Sequence, residues 1–221
     1  RREQAEARAA GRYFGIGLAL AVDPSVSNMG YVATALDPQF RAKPEYLPKS
    51  GAVEAATVKV DPLGRVIAIL GTTPQGQGHE TIVSQIVADE LGLVPEDVTV
   101  VDEMDTFTRV WSISSGTYSS RFGSVGTSAV VLAARKLKAK LVEYAAHLMD
   151  MPPEQLEFRD GAVRAKQGKG PSYSVKDLAG RAHWNTESLP EGMEPGLQAT
   201  AVFGFTVAKS VDAEDRVNSS N

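Results

Sequence analysis

The chain has 221 residues, 43% of them hydrophobic, with 23 Lys and Arg against 27 Asp and Glu and a formal charge of -4. That is ample for a core and leaves no basic excess to grip a phosphate backbone, so nucleic-acid binding through bulk charge is not expected. There is no Cys, which removes disulfides, thiolate zinc sites, iron–sulfur ligation and a Cys nucleophile from these residues.

No apolar run reaches the ~18 residues that a membrane span needs, and the first residues lack a signal-peptide core. A soluble cytoplasmic protein is the expectation. Residues 1–8 read as the charged end of a helix, and the polar residues 212–221 follow directly on a strand-like run. Both ends predict a segment of a longer protein.

Residues 13–22 form a short apolar run, too rich in Gly for a helix, which predicts a buried strand stopped by Asp23-Pro24-Ser25. Residues 28–50 show no period and read as a long loop. Alternation over 52–60, a Pro/Gly linker at 61–64 and the apolar run to Leu70 predict a hairpin. A helix is expected over 79–91, where Ile82, Val83, Ile86, Val87 and Leu91 share one side and Gly92 stands at the C-cap position. After Pro95-Glu96-Asp97 a strand is expected at 98–101, then a second loop, rich in Ser, Thr and Gly, to about 126.

The longest helix is expected over 127–150. Val131, Ala134, Leu137, Leu141, Tyr144, Ala145 and Leu148 mark its buried stripe, and Met151-Pro152-Pro153 ends it. A second hairpin folds around Asp160-Gly161, a short helix covers 174–181, and a last strand runs over 199–208. No internal repeat or composition break divides the chain. The predicted fold class is α+β, one unit with helices packed on one face of a mixed sheet.

Two loops could carry chemistry. The first runs Thr72-Thr73-Pro74-Gln75-Gly76-Gln77-Gly78-His79-Glu80-Thr81, between a strand and a helix N-terminus. Glycines there let backbone N–H groups approach a ligand, and the helix dipole favours an anion. The Gln77 amide both donates and accepts. A plain glycine turn with solvated Thr and Gln fits the same residues. It is not a P-loop, because no Lys-Ser/Thr pair follows the glycines. The second loop runs Ser114-Ser115-Gly116-Thr117-Tyr118-Ser119-Ser120-Arg121-Phe122-Gly123-Ser124-Val125-Gly126. Hydroxyls and one Arg ahead of a helix make another oxyanion cradle or, equally, a capping loop. His79, His147 and His183 are too scattered for a metal site, and the acidic cluster Asp102, Glu103 and Asp105 reads as a solvated strand end.

Gly76-Gln77-Gly78-His79-Glu80-Thr81, followed by Gly116-Thr117-Tyr118-Ser119-Ser120-Arg121, resembles the molybdenum hydroxylase family of xanthine dehydrogenases, aldehyde oxidases and aerobic carbon monoxide dehydrogenases. The likeness is to the molybdopterin-binding large subunit and extends over most of the chain. Supporting stretches are Gly15-Ile16-Gly17, the run from Ala134 to Lys140 and the hairpin at Asp160-Gly161. Both loop sequences are closest to the carbon monoxide dehydrogenase-like members.

The resemblance implies cofactor-binding roles for Gln75, Gly76, Gln77 and Gly78 near the dithiolene and molybdenum end. It implies the same for Gly116, Thr117, Tyr118, Ser119, Ser120 and Arg121 at the phosphate and pterin portions. The implied cofactor is molybdenum-molybdopterin in its cytosine dinucleotide form, with the metal held by cofactor sulfurs. The family's upstream glycine–phenylalanine loop and its downstream glutamate base have no counterpart in these residues, so no catalytic residue is assigned here. Implied partners are a small-molecule substrate, the remainder of the large subunit, and subunits or domains that carry iron–sulfur centres and FAD. A non-catalytic binding or assembly module of the same fold is the alternative.

Overall fold

The computed structural model describes residues 1–20, 53–103, 105, 107, 117, 120–167 and 170–204. The expectations for 21–22, for 28–50, for most of 104–119 and for 205–221 lie outside the described residues.

The charged start forms helix α1 (Arg2–Ala9), with Ala7 buried and an Arg2–Glu6 ion pair one turn apart. Strands β1 (Val53–Val60) and β2 (Val66–Leu70) make the predicted hairpin, with Val60 opposite Val66. Its turn is closed by Asp61, whose Oδ1 accepts the N–H groups of Leu63 and Arg65, each at 2.9 Å. Such an Asx arrangement supplies the turn's hydrogen bonds from a side chain. Helix α2 (His79–Leu91) crosses from β2 to the parallel strand β3 (Val98–Val101), because parallel strands need a crossover connection. Strand β7 (Leu197–Gly204) pairs antiparallel with β1 over its whole length, giving a mixed sheet in the order β3-β2-β1-β7.

The core lies between this sheet and two helices. The long helix α3 (Thr127–Met149) packs on β1 and β7, and α2 packs on α3 and β3. Alternation along β2 and β7 turns Val66, Ala68, Leu70, Leu197 and Ala201 inward. They meet Val83, Val87 and Leu91 of α2 and Leu137, Leu141 and Tyr144 of α3, all essentially without exposure. The basic run of α3 does more than face water. Lys136 Nζ donates to the Thr200 carbonyl at 3.2 Å and Lys140 Nζ to that of Gly196 at 2.8 Å, so both fasten β7.

Three expectations need correction and one is extended. The apolar run at 13–20 is not a buried strand: Tyr13, Leu18 and Leu20 are almost fully exposed, and no described strand pairs with it. A strand exists only through a partner's hydrogen bonds. The predicted mixed sheet is present, and a second, smaller sheet accompanies it. Strands β4 (Leu156–Arg159) and β5 (Ala162–Ala165) form the predicted hairpin around Asp160 and Gly161, both with positive φ. They join the short β6 (Ser172–Ser174) in a separate three-stranded antiparallel sheet. On α3 the buried stripe runs through Val130 rather than Val131, which is only half-buried. Finally, helical backbone begins before residue 127, because Phe122–Gly126 form a π-helical turn that enters α3. The last helix, α4 (Val175–Trp184), starts at a Ser174–Asp177 capping box.

Candidate functional site

The first loop connects the end of β2 to α2. Gly76 (φ +96°) and Gly78 (φ +79°) hold left-handed backbone that side-chain-bearing residues rarely adopt. Among the described residues a β-carbon built on either would meet nothing within 4 Å. Gly78 is the N-cap of α2 and, having no side chain, leaves the first turn uncapped. The N–H groups of a helix's first turn have no partner inside the helix, and the dipole adds positive potential there. The Gln77 Oε1 accepts the Gln75 N–H, folding the loop on itself, and Gln75, Gly76, Gln77 and Gly78 are all exposed.

Of the second loop, Thr117, Ser120 and Arg121 are described, whereas Gly116, Tyr118 and Ser119 lie outside the described residues. Thr117 Oγ1 is 3.4 Å from His79 Nε2, which brings the second loop against the first helical residue of α2. The two loops expected to act together are therefore neighbours. Ser120 turns the chain with φ +49°, a strained value for a residue with a β-carbon.

Arg121 points inward. It has 0% exposure and donates from Nη1 to Glu54 Oε2 at 2.8 Å and from Nη2 to the Val53 carbonyl. A carboxylate of β1, rather than open solvent, faces this guanidinium. Burial pushes the Glu54 carboxyl above its usual range, opposed by the Ala55 N–H bond and by Arg121. Glu54 also accepts the Ala55 N–H on Oε1 at 3.0 Å.

His79 is also a buried polar residue of the site, 1% exposed, its ring stacked on Phe122 with centroids 3.6 Å apart. Burial holds its pKa below the ordinary value despite the Asp102 carboxylate, so the imidazole is neutral near pH 7. Among the described residues its Nδ1 has no hydrogen-bond partner, and neither has Asp102 Oδ2. Among the described residues no group of His, Asp and Glu could hold a metal ion, and Asp105 instead accepts the Phe107 N–H.

The sequence reading missed Glu54. The signal was present, since Glu54 continues the inward register of Ala56, Val58 and Val60 back along β1. An acidic residue in a buried register needs a buried partner. His79 stands in the first loop and in its motif without a role of its own there, and no signal along the chain places it beside Thr117.

The donor set fits an anionic, heteroatom-rich cofactor. An uncapped helix terminus, two open glycines and an amide side chain offer neutral N–H donors, and no carboxylate besides Glu80 stands in the first turn of α2.

The sequence matches the model of the molybdopterin cofactor-binding domain over residues 1–220. It is 37% identical to the carbon monoxide dehydrogenase large chain of Hydrogenophaga pseudoflava over 153 residues, 69% of this chain and 18% of that one. It is 32% identical to the nicotine 6-hydroxylase large subunit of Paenarthrobacter nicotinovorans, covering 91% of this chain and 23% of that one. The fold matches carbon monoxide dehydrogenase from Oligotropha carboxidovorans with a TM-score of 0.69 at 30% identity, over 92% of this chain and 24% of that one. Quinoline 2-oxidoreductase from Pseudomonas putida 86 gives a TM-score of 0.69 at 28% identity. The chain thus spans under a quarter of the length of these relatives. With the paired loops and the mixed sheet in the same molecule, the chain belongs to the molybdopterin cofactor-binding domain family.

Proposed function

We propose that this chain is one part of the molybdopterin-binding large subunit of a cytoplasmic molybdenum hydroxylase that oxidises or hydroxylates a small molecule. The observation that carries this reading is the open, uncapped Gly76-Gln77-Gly78 terminus of α2, tied to the second loop through His79 and Thr117. In this reading Gln75, Gly76, Gln77 and Gly78 hold the cofactor from one side. Gly116, Thr117, Tyr118, Ser119, Ser120 and Arg121 form the other side, Arg121 through its place in the loop. N–H donors and hydroxyls suit the pyrophosphate of a dinucleotide, here the cytosine form. The chemistry supplied with the bound cofactor is two-electron oxidation of the substrate, with oxygen from water and two protons released. The electrons pass to iron–sulfur and FAD centres of partner subunits, since this chain has no Cys to hold a cluster. Its own residues bind and orient; no proton transfer is assigned to any of them.

The test is made on the full natural chain with its companion subunits. Molybdenum and pterin at about one per chain, with cytidine monophosphate released on acid hydrolysis, support the reading; absence of both overturns it. Gln77→Ala should weaken cofactor retention about 5- to 150-fold, the equivalent of one lost hydrogen bond to a buried polar ligand, about 1–3 kcal/mol. Unchanged occupancy in that variant removes the first loop from the site.

A further inference from the structure

We propose that Glu54 is a positioning residue for the cofactor, holding Arg121 and with it the second loop in register with the first. The inference rests on the reading that these two loops bind the cofactor. Arg121 and Phe122 are consecutive and leave the loop in two directions. The guanidinium enters β1, where the Glu54 carboxylate and the Val53 carbonyl take two of its N–H groups. The Phe122 ring lies on His79, the first residue of α2, at 3.6 Å. The ring also fills the space a β-carbon of Gly126 would need, its Cε2 only 2.6 Å from that point. The loop is thus braced at once against the sheet and against the helix terminus that carries the Gly-Gln-Gly turn.

Both charges of the brace are out of water, with side-chain exposures of 0% and 2%. A surface phosphate ligand has no need of such burial, and a desolvated carboxylate is tolerated only where its partner's geometry is held. The carboxylate spends both oxygens, one on Arg121 and one on the Ala55 N–H, so its own position is fixed by β1. A planar guanidinium reaches a side chain and a backbone carbonyl at the same time, which a Lys ammonium on a flexible stem reproduces poorly. Ser120, strained at φ +49°, sits next to the anchored arginine and before it stand the hydroxyl residues of the loop. Holding that turn is what a brace at Arg121 achieves.

The experiment uses the full natural chain with its companion subunits and two main variants, Glu54→Gln and the apolar double replacement Glu54→Leu with Arg121→Met, together with Arg121→Lys alone and combined with Glu54→Gln. The double variant removes both charges together, so no lone charge is left buried, and its fold is expected to survive. Molybdenum and pterin per chain after gel filtration are read beside melting temperature and far-ultraviolet circular dichroism. The expected result is about tenfold lower cofactor retention in Glu54→Gln. The double variant should melt within a few degrees of the natural protein and still lose cofactor. Adding Arg121→Lys to Glu54→Gln should cost no more than the worse single change, since both break one link. A folded double variant that keeps its full molybdenum and pterin overturns the inference. So does loss of the fold in both variants, which would make the pair purely structural. A natural protein without molybdenum or pterin overturns the functional reading together with this one, whereas a loaded natural protein with equally loaded variants overturns this one alone.

Discussion

The buried polar side chains Glu54, Arg121 and His79 set the character of this site. Glu54 and Arg121 neutralise each other, and His79 stays neutral because burial disfavours its charged form. The glycines divide in the same way. Gly92 (φ +56°) ends α2, and a β-carbon on it would stand 2.7 Å from the backbone nitrogen of Asp160. Gly76 has a similar backbone requirement, and no described residue stands within 4 Å of a β-carbon built on it. Gly92→Ala should therefore lower stability by more than the ~1–2 kcal/mol of left-handed strain alone, and Gly76→Ala by no more than that. Urea unfolding of the two variants compares them. Equal losses would mean that the second sheet gives way freely at Asp160.

Elements in this chain are held by their ends as much as by their faces. Helix α4 begins with a reciprocal cap: Ser174 Oγ accepts the Asp177 N–H at 3.0 Å, and Asp177 Oδ2 accepts the Ser174 N–H at 3.1 Å. Ser174→Ala should cost about 0.5–2 kcal/mol. The bonds from Ser174 hold the Asp177 carboxyl below the usual Asp range. The unfolded chain then binds more protons than the folded one between the two pKa values, so this contribution is fully present above the ordinary Asp value and is lost as pH falls from there through the lowered folded-state value. Asp177→Asn should flatten that part of the acid limb of a stability–pH curve measured in urea. An unchanged limb would place the acid sensitivity elsewhere, with Asp61 as the other described Asp whose carboxyl is held low.

At the scale of the whole molecule, α3 is the common support. It packs on β1, β7 and α2, touches both sheets, and its lysines hold two carbonyls of β7 and its approach. Leu137 lies at the centre of that packing with no exposure. Leu137→Ala should cost about 2–5 kcal/mol, the sum of lost burial and the cavity left behind. Circular dichroism melting that shows one cooperative transition at lower temperature is the expected outcome; two separated transitions would show that the sheets unfold independently. Among the described residues no helix is long and apolar enough to cross a membrane.

The sequence by itself determined whatever depends on neighbours along the chain. The Asp61 turn, the helix over His79–Leu91 with Gly92 behind it, the Asp160-Gly161 hairpin and the α2 terminus with its two glycines are written in φ preferences, caps and periods of a few residues. The family was legible too, because the two loop sequences are contiguous strings. Only the tertiary structure decided what those strings touch. Arg121 finds Glu54 from 67 residues away, and Thr117 finds His79 from 38, distances over which no periodicity carries information. The polar company of Arg121 along the chain suits an oxyanion cradle or a capping loop, and its depth depends on where β1 lies. The apolar run at 13–20 failed for the converse reason: its composition suits a strand, but pairing belongs to a partner, and no described strand takes that place. Local stereochemistry is set by adjacent residues, whereas burial of a charge or a strand edge is a property of two segments together, and their meeting is fixed only when the core has formed.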